Sequence, residues 1–118
     1  MLKKLKKLKR KGDKKMKLFN MIIKEYLSIV GSLEETQPIE NNRIVIDRLY
    51  FKELLEKYHY MSFKQKTKIY KDLNLIIHDQ NNYTMPYKDT ELKKTVRKVI
   101  FNYSTYQTVK QLCDDNNL

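Results

Sequence analysis

The stretch Asp47–Ile77, DRLYFKELLEKYHYMSFKQKTKIYKDLNLII, constrains the fold more than any other part of the chain, because it holds two helical periodicities separated by a start signal. Phe51, Leu54, Leu55 and Tyr58 fall at i, i+3, i+4 and i+7, one apolar face of an α-helix. Phe63, Thr67, Tyr70 and Leu73 repeat nearly the same spacing. Between the two runs, Ser62-Phe63-Lys64-Gln65 is a capping box. The Ser62 hydroxyl can accept from the Gln65 backbone N–H, and the Gln65 amide can reach back to the Ser62 N–H. A new helix therefore starts at Ser62 instead of the first one continuing. Leu75-Ile76-Ile77 then reads as a short strand.

The second of these helices has two unlike faces. Lys64, Lys68 and Lys71 fall at i, i+4 and i+7, opposite the apolar stripe, with Gln65 and Lys66 beside them. A packed back, a basic front and a supporting helix are what a helix needs to enter a DNA major groove. A lysine face that only solvates the helix has the same pattern.

The remaining segments supply the frame. From Met16 to Leu33 the pattern is apolar at Phe19, Ile22, Ile23, Tyr26, Leu27 and Val30, which predicts a core-facing helix. Lys24-Glu25 interrupts its apolar run and no small-residue cleavage site follows, so it does not read as a signal peptide. No run approaches the roughly eighteen apolar residues of a membrane span. Glu34–Asn42 is a loop with Pro38 blocking helix continuation. Arg43–Asp47, RIVID, is a β-branched strand, and Asp47 is placed to cap the helix after it. Tyr83, Met85 and Tyr87 alternate with Thr84, Pro86 and Lys88 as in a strand, which Pro86 restricts to a sheet edge or bulge. DTELKK (89–94) has the composition of a loop tip, and TVRKVIFNY (95–103) reads as a strand pairing back across it. Ser104-Thr105-Tyr106-Gln107 has the form of a second capping box, opening a helix with Tyr106, Val109, Leu112 and Cys113 on one side. The terminal DDNNL is expected to fray.

With 118 residues there is room for one domain, expected over 16–118. The net charge of +11 points to a polyanionic partner, but its distribution says more. Residues 1–15 hold +8 of it, residues 62–72 carry +3 and residues 88–98 carry +3. The folded part thus concentrates positive charge in two segments. For the N-terminal run three readings fit: a basic arm on phosphates, an amphipathic surface helix with too few leucines to anchor firmly, or a purine-rich ribosome-binding site read as codons. In the last case Met16 would be the start. The single cysteine, Cys113, forms no internal disulfide, so a reducing cytoplasm is the expected location.

Helix, strand, helix, turn, helix, strand, basic loop, strand is the element order of winged helix-turn-helix DNA-binding proteins, which the chain resembles over about residues 16–103. The residues carrying the resemblance are IVID before the second helix and SFKQKTKIYKDLNLII through the third. Asn74 stands where the pattern often has Gly, and Asn tolerates the left-handed backbone required there. One departure is the turn KYHYMS, longer than in the tightest members. The lysine- and asparagine-rich composition is also similar to that of proteins from plasmids and mobile elements of AT-rich Gram-positive bacteria. Small winged-helix proteins there serve in replication, partition, transcriptional control and relaxosome assembly at a transfer origin.

The resemblance implies an α+β fold, a small winged helix-turn-helix domain with an added C-terminal helix. It makes Lys64, Gln65, Lys68 and Lys71 groove-facing, and Lys93, Lys94, Arg97 and Lys98 a wing on phosphates or in a minor groove. Gln65 carries a conflict, since an amide tied into a capping box cannot also read an adenine edge bidentately. Phosphate contact should therefore outweigh base contact. If six or so lysines neutralise phosphates, affinity should fall on the order of a thousandfold between about 50 and 200 mM salt. The expected partners are double-stranded DNA, a second copy in a homodimer, and a relaxase or replication protein, with no membrane.

Other chemistry finds little support. His59 and His78 stand far apart, Cys113 has no neighbouring His or Cys, and no zinc spacing exists. Tyr58-His59-Tyr60 lacks the histidine cluster or arginine-rich pocket of a DNA-nicking tyrosine and reads as aromatic packing under the helices. Tyr83 and Tyr87 suit core or dimer packing better than a single-strand stacking platform. No phosphate-cradling glycine motif is present. A non-enzymatic protein without cofactor or metal is expected, acting as a DNA-binding regulator or as an accessory in replication or conjugative transfer. A winged-helix protein adaptor and a structured-RNA binder are the alternatives.

Overall fold

The computed structural model describes residues 13–116. They form α1 (Asp13–Thr36), β1 (Arg43–Asp47), α2 (Arg48–Glu56), α3 (Phe63–Asp72), β2 (Ile76–Ile77), β3 (Met85–Asp89), β4 (Lys94–Asn102) and α4 (Tyr103–Asn116). The fold is α+β, with four helices and a four-stranded antiparallel sheet among the described residues. Residues 1–12 and 117–118, and with them most of the expected basic tail, lie outside the described residues.

The long strand β4 is the spine of the sheet. On one flank β1 pairs with it from Arg43↔Asn102 to Asp47↔Lys98. The other flank is shared: β2 pairs at Ile76↔Phe101 and Ile77↔Ile100, and β3 from Met85↔Lys98 to Asp89↔Lys94. The chain loops out over residues 78–84 between them. Successive strand residues face opposite sides, so Ile44, Ile46, Ile76, Val99 and Phe101 share one face of the sheet and are buried. The helices supply Ile22, Tyr26, Leu33, Phe51, Leu55 and Tyr70 to the same core. Phe51 lies edge-on to Tyr70 at 5.6 Å and to Phe101 at 5.9 Å, which ties α2, α3 and β4 together. Gly31 lets α1 approach α4, since a Cβ there would stand 3.3 Å from the Tyr106 hydroxyl.

Local signals placed most elements well, with several corrections. α1 begins at Asp13, three residues ahead of the boundary expected at Met16. The alternation Tyr83, Met85, Tyr87 is not one strand: β3 starts at Met85, and Tyr83 instead packs against Phe51 and Phe63. The expected cap of α4 is displaced. The helix starts at Tyr103, the Asn102 Oδ1 accepts the Thr105 N–H at 3.0 Å, and the Asn42 Oδ1 accepts the Ser104 N–H at 2.9 Å. Ser104 thus stands inside the first turn, its own N–H satisfied from the β1 side of the molecule. Asp47 occupies the N-cap position of α2 but makes no side-chain capping bond, because its carboxylate pairs with Lys98. Residues 114–116 of the DDNNL segment are helical where fraying was expected, and residues 117 and 118 lie outside the described residues. Pro86 does lie on an edge strand, where its missing N–H costs no ladder bond.

Candidate nucleic-acid interface

α3 is built as its sequence requires. The Ser62 Oγ accepts the Gln65 N–H at 3.2 Å, and the Gln65 Oε1 accepts the Ser62 N–H at 3.2 Å. The conflict at Gln65 is therefore present in the structure, where its amide oxygen is engaged in the cap. Asn74 adopts a left-handed backbone, φ 54°, and turns the chain from α3 into β2. Lys64 and Lys68 stand exposed and Lys71 half-buried, on the side of α3 that flanks the buried Thr67 and Tyr70.

The lysine pattern conceals one residue of a different kind. Lys66 is fully buried. Its ammonium donates to the Glu25 Oε2 at 2.7 Å, the Leu55 carbonyl at 2.6 Å and the Tyr58 carbonyl at 2.7 Å, and lies 4.3 Å from the Tyr60 ring centre. Leu55 belongs to the last turn of α2, where carbonyls lack helical partners. Lys66 thus caps α2, fixes the long turn before α3 and binds both to α1. Desolvation raises the pKa of the Glu25 carboxyl above its ordinary value, outweighing the hydrogen bond and charge of Lys66 that act to lower it. The outward face of α3 carries one positive charge fewer than the composition of residues 62–72 implies. The sequence did hold a signal. Lys66 lies three residues after Phe63 and four before Tyr70, and Glu25 three after Ile22 and four before Ile29. Both occupy positions on an apolar stripe.

The β3–β4 hairpin carries the second basic segment. Its tip is shaped by Asp89, whose Oδ1 accepts the N–H groups of Glu91 and Leu92 at 2.9 Å, and it closes with Lys93 at φ 52°. Lys88, Lys93 and Lys94 are exposed, and neither they nor Lys64, Lys68 and Lys71 form an ion pair among the described residues. Arg97 and Lys98 are different. Arg97 donates through Nε to the Thr84 Oγ1 and through Nη2 to the Thr84 carbonyl, both at 2.8 Å, and pairs with Asp79 at 2.5 Å. It clips the 78–84 excursion to β4, and its hydrogen bond holds the Asp79 carboxyl below its usual pKa. Lys98 pairs with Asp47. Alternation also sends Lys94 and Lys98 to one face of the sheet and Thr95 and Arg97 to the other. The four hairpin cations expected to act together are divided into two exposed lysines and two that already have carboxylate partners.

The two basic segments are linked through aromatic packing. Phe63, in the first turn of α3, lies edge-on to Tyr83 at 5.6 Å, just ahead of β3. The first turn of α3 thus abuts the segment that feeds the hairpin. Tyr87 stands 39% exposed on the sheet face away from the core. In the turn before α3, Tyr60 packs against the core as expected, whereas Tyr58 is 56% exposed. His59 is exposed, and His78 lies 3.2 Å from the Asn74 Oδ1. Among the described residues no group of three or more His, Cys, Asp or Glu is placed to hold a metal ion, and no helix is long and apolar enough to cross a membrane. No protein-family model matches the chain, and no curated protein matches it significantly.

Proposed function

We propose that this protein is a non-enzymatic double-stranded-DNA-binding protein of winged helix-turn-helix type. In this reading α2 and α3 form the helix-turn-helix, α3 enters the major groove and the β3–β4 hairpin is the wing. The observation that carries it is the pair of lysine sets on neighbouring elements: Lys64, Lys68 and Lys71 on α3, and Lys88, Lys93 and Lys94 on the hairpin. They have no carboxylate partners among the described residues, while Lys66 is buried on Glu25 and Arg97 and Lys98 are paired with Asp79 and Asp47. The same lysines suit phosphates more than base edges, because Lys is a flexible point charge and the Gln65 amide is engaged. Site preference would then rest on groove shape and on few direct base contacts. Two-fold DNA sites favour binding as a homodimer, and the process served is transcriptional control or an accessory role in plasmid replication or conjugative transfer.

The test is fluorescence anisotropy with duplex DNA, single-stranded DNA and structured RNA over a salt series. Lys68→Glu combined with Lys94→Glu should weaken duplex binding more than tenfold and reduce the slope of log affinity against log salt by about two. The circular dichroism and melting temperature should stay near wild type. Wild-type duplex affinity in the double variant, or RNA bound more tightly than duplex, refutes the reading.

A further inference from the structure

The sheet is apolar on both of its faces. Where an antiparallel sheet has one face in water, its strands alternate apolar and polar residues. Here Ile44-Val45-Ile46, Ile76-Ile77 and Val99-Ile100-Phe101 are unbroken apolar runs. Half of these residues face the helices. Val45, Ile77 and Ile100 form a row on the other face, because Val45 and Ile77 stand directly opposite Ile100 on its two flanks. Ile100 is buried, yet it lies outside the core cluster that the helices share. Towards the hairpin the same face carries the exposed ring of Tyr87.

A groove of about 400 Å³ lies over this face, with Val45, Ile100 and Tyr87 among its lining. It reaches from Glu40 and Arg43, at the start of β1, to Asp89 and Glu91 at the hairpin tip. The apolar floor is therefore recessed between two polar walls, the loop 37–41 and the tip 89–91.

Charge selects the occupant. Glu40, Asp89 and Glu91 form no ion pair among the described residues. Of the two cations that line the groove, Lys98 is already paired with Asp47, which leaves Arg43 against three carboxylates. Lys94 stands across the ladder from Asp89, but it pairs with no carboxylate among the described residues and does not line the groove. The groove is thus locally acidic in a protein of net charge +11. A second copy fits it poorly. Two such concave faces would meet at their rims, and a second hairpin tip would bring its own Asp89 and Glu91 against the same carboxylates. We propose that this groove docks a narrow segment of a partner protein, which sets apolar side chains on Val45, Ile100 and Tyr87 and Lys or Arg on the carboxylate rim. The Tyr87 ring can also take a cation on its face. The inference does not depend on DNA binding, whose proposed helix α3 packs on the opposite face of the sheet through Tyr70.

The probe is a random-peptide display library selected against the full chain, with the converged peptide then synthesised and titrated by fluorescence anisotropy. Selected sequences should place one or two apolar residues next to Lys or Arg. A protein of net charge +11 repels cationic peptides in general, so their enrichment is diagnostic of this groove. Glu40→Gln combined with Glu91→Gln removes two exposed carboxylates that form no ion pair among the described residues. It should weaken the peptide roughly tenfold and leave the melting temperature near wild type. Tyr87→Ser should weaken it severalfold. In an NMR titration the amide shifts should fall on Arg43, Val45, Tyr87 and Glu91 and spare α3. The proposal is overturned if selection yields no shared pattern or an acidic one, if the double variant binds as wild type does, or if the shifts fall elsewhere. Shifts of the same amides with protein concentration alone overturn it too, because the occupant is then a second copy.

Discussion

Replacing Lys66 with Met keeps the length of the side chain and removes the one buried cation among the described residues. Three acceptors lose their donor at once: the Glu25 carboxylate and the Leu55 and Tyr58 carbonyls. Breaking a buried pair from one side costs about 3–5 kcal/mol, because the remaining charge has neither water nor partner. Against a total stability of about 5–15 kcal/mol for a small domain, that is a large fraction. At about 4 °C per kcal/mol it corresponds to a fall of roughly 12 to 20 °C in melting temperature. The loss should also depend on pH in a defined direction. Desolvation already raises the Glu25 pKa above 4.5, and Met removes the Lys66 hydrogen bond and charge that act to lower it, so the folded-state value climbs further. A carboxyl raised in the folded state contributes stability that is fully present below its unfolded value and is lost as pH rises through the folded one. The deficit of Lys66→Met should therefore be smallest below pH 4.5 and grow as the pH is raised. Adding Glu25→Leu should recover much of the loss and abolish its pH dependence, since an apolar pair replaces an orphaned charge. Urea denaturation of the wild type and both variants at several pH values measures all three effects. A loss under about 1 kcal/mol, or one that does not change with pH, refutes the assignment of Lys66 as the buried ionic anchor of α3.

Two further outcomes follow from burial and capping. Cys113 is buried, and desolvation with the neighbouring Asp114 raises its thiol pKa above the ordinary value of 9.0. A thiol reagent at pH 8 should label the native protein slowly, at a rate that tracks unfolding, and immediate stoichiometric labelling would contradict that placement. Asn102→Ala removes the side-chain acceptor for the Thr105 N–H and should cost about 1 kcal/mol by denaturant titration. A negligible change would mean that Asn42 alone caps α4.

Much of the fold was legible because its signals are local. The Ser62–Gln65 capping box and the left-handed Asn74 each involve a few consecutive residues, so the sequence specifies them without knowledge of the rest. The apolar faces of α1 and α2 follow from spacing in the same way, apart from Tyr58 at the end of α2, where the chain has already left the helix. The candidate site was legible only as a composition of lysines. Three lysines spaced along α3 and a fourth between them share one chemistry, and only the place of Lys66 on the apolar stripe sets it apart in the sequence. Which one faces inward depended on Glu25, 41 residues away on another helix. Likewise, Arg97 and Lys98 found their carboxylates 18 and 51 residues away. A cation's role is set by what neutralises or solvates it, and that is a property of the packed chain. The sequence by itself determined where helices start and which faces are apolar. Only the tertiary structure decided which positive charges hold the protein together and which are left for a partner.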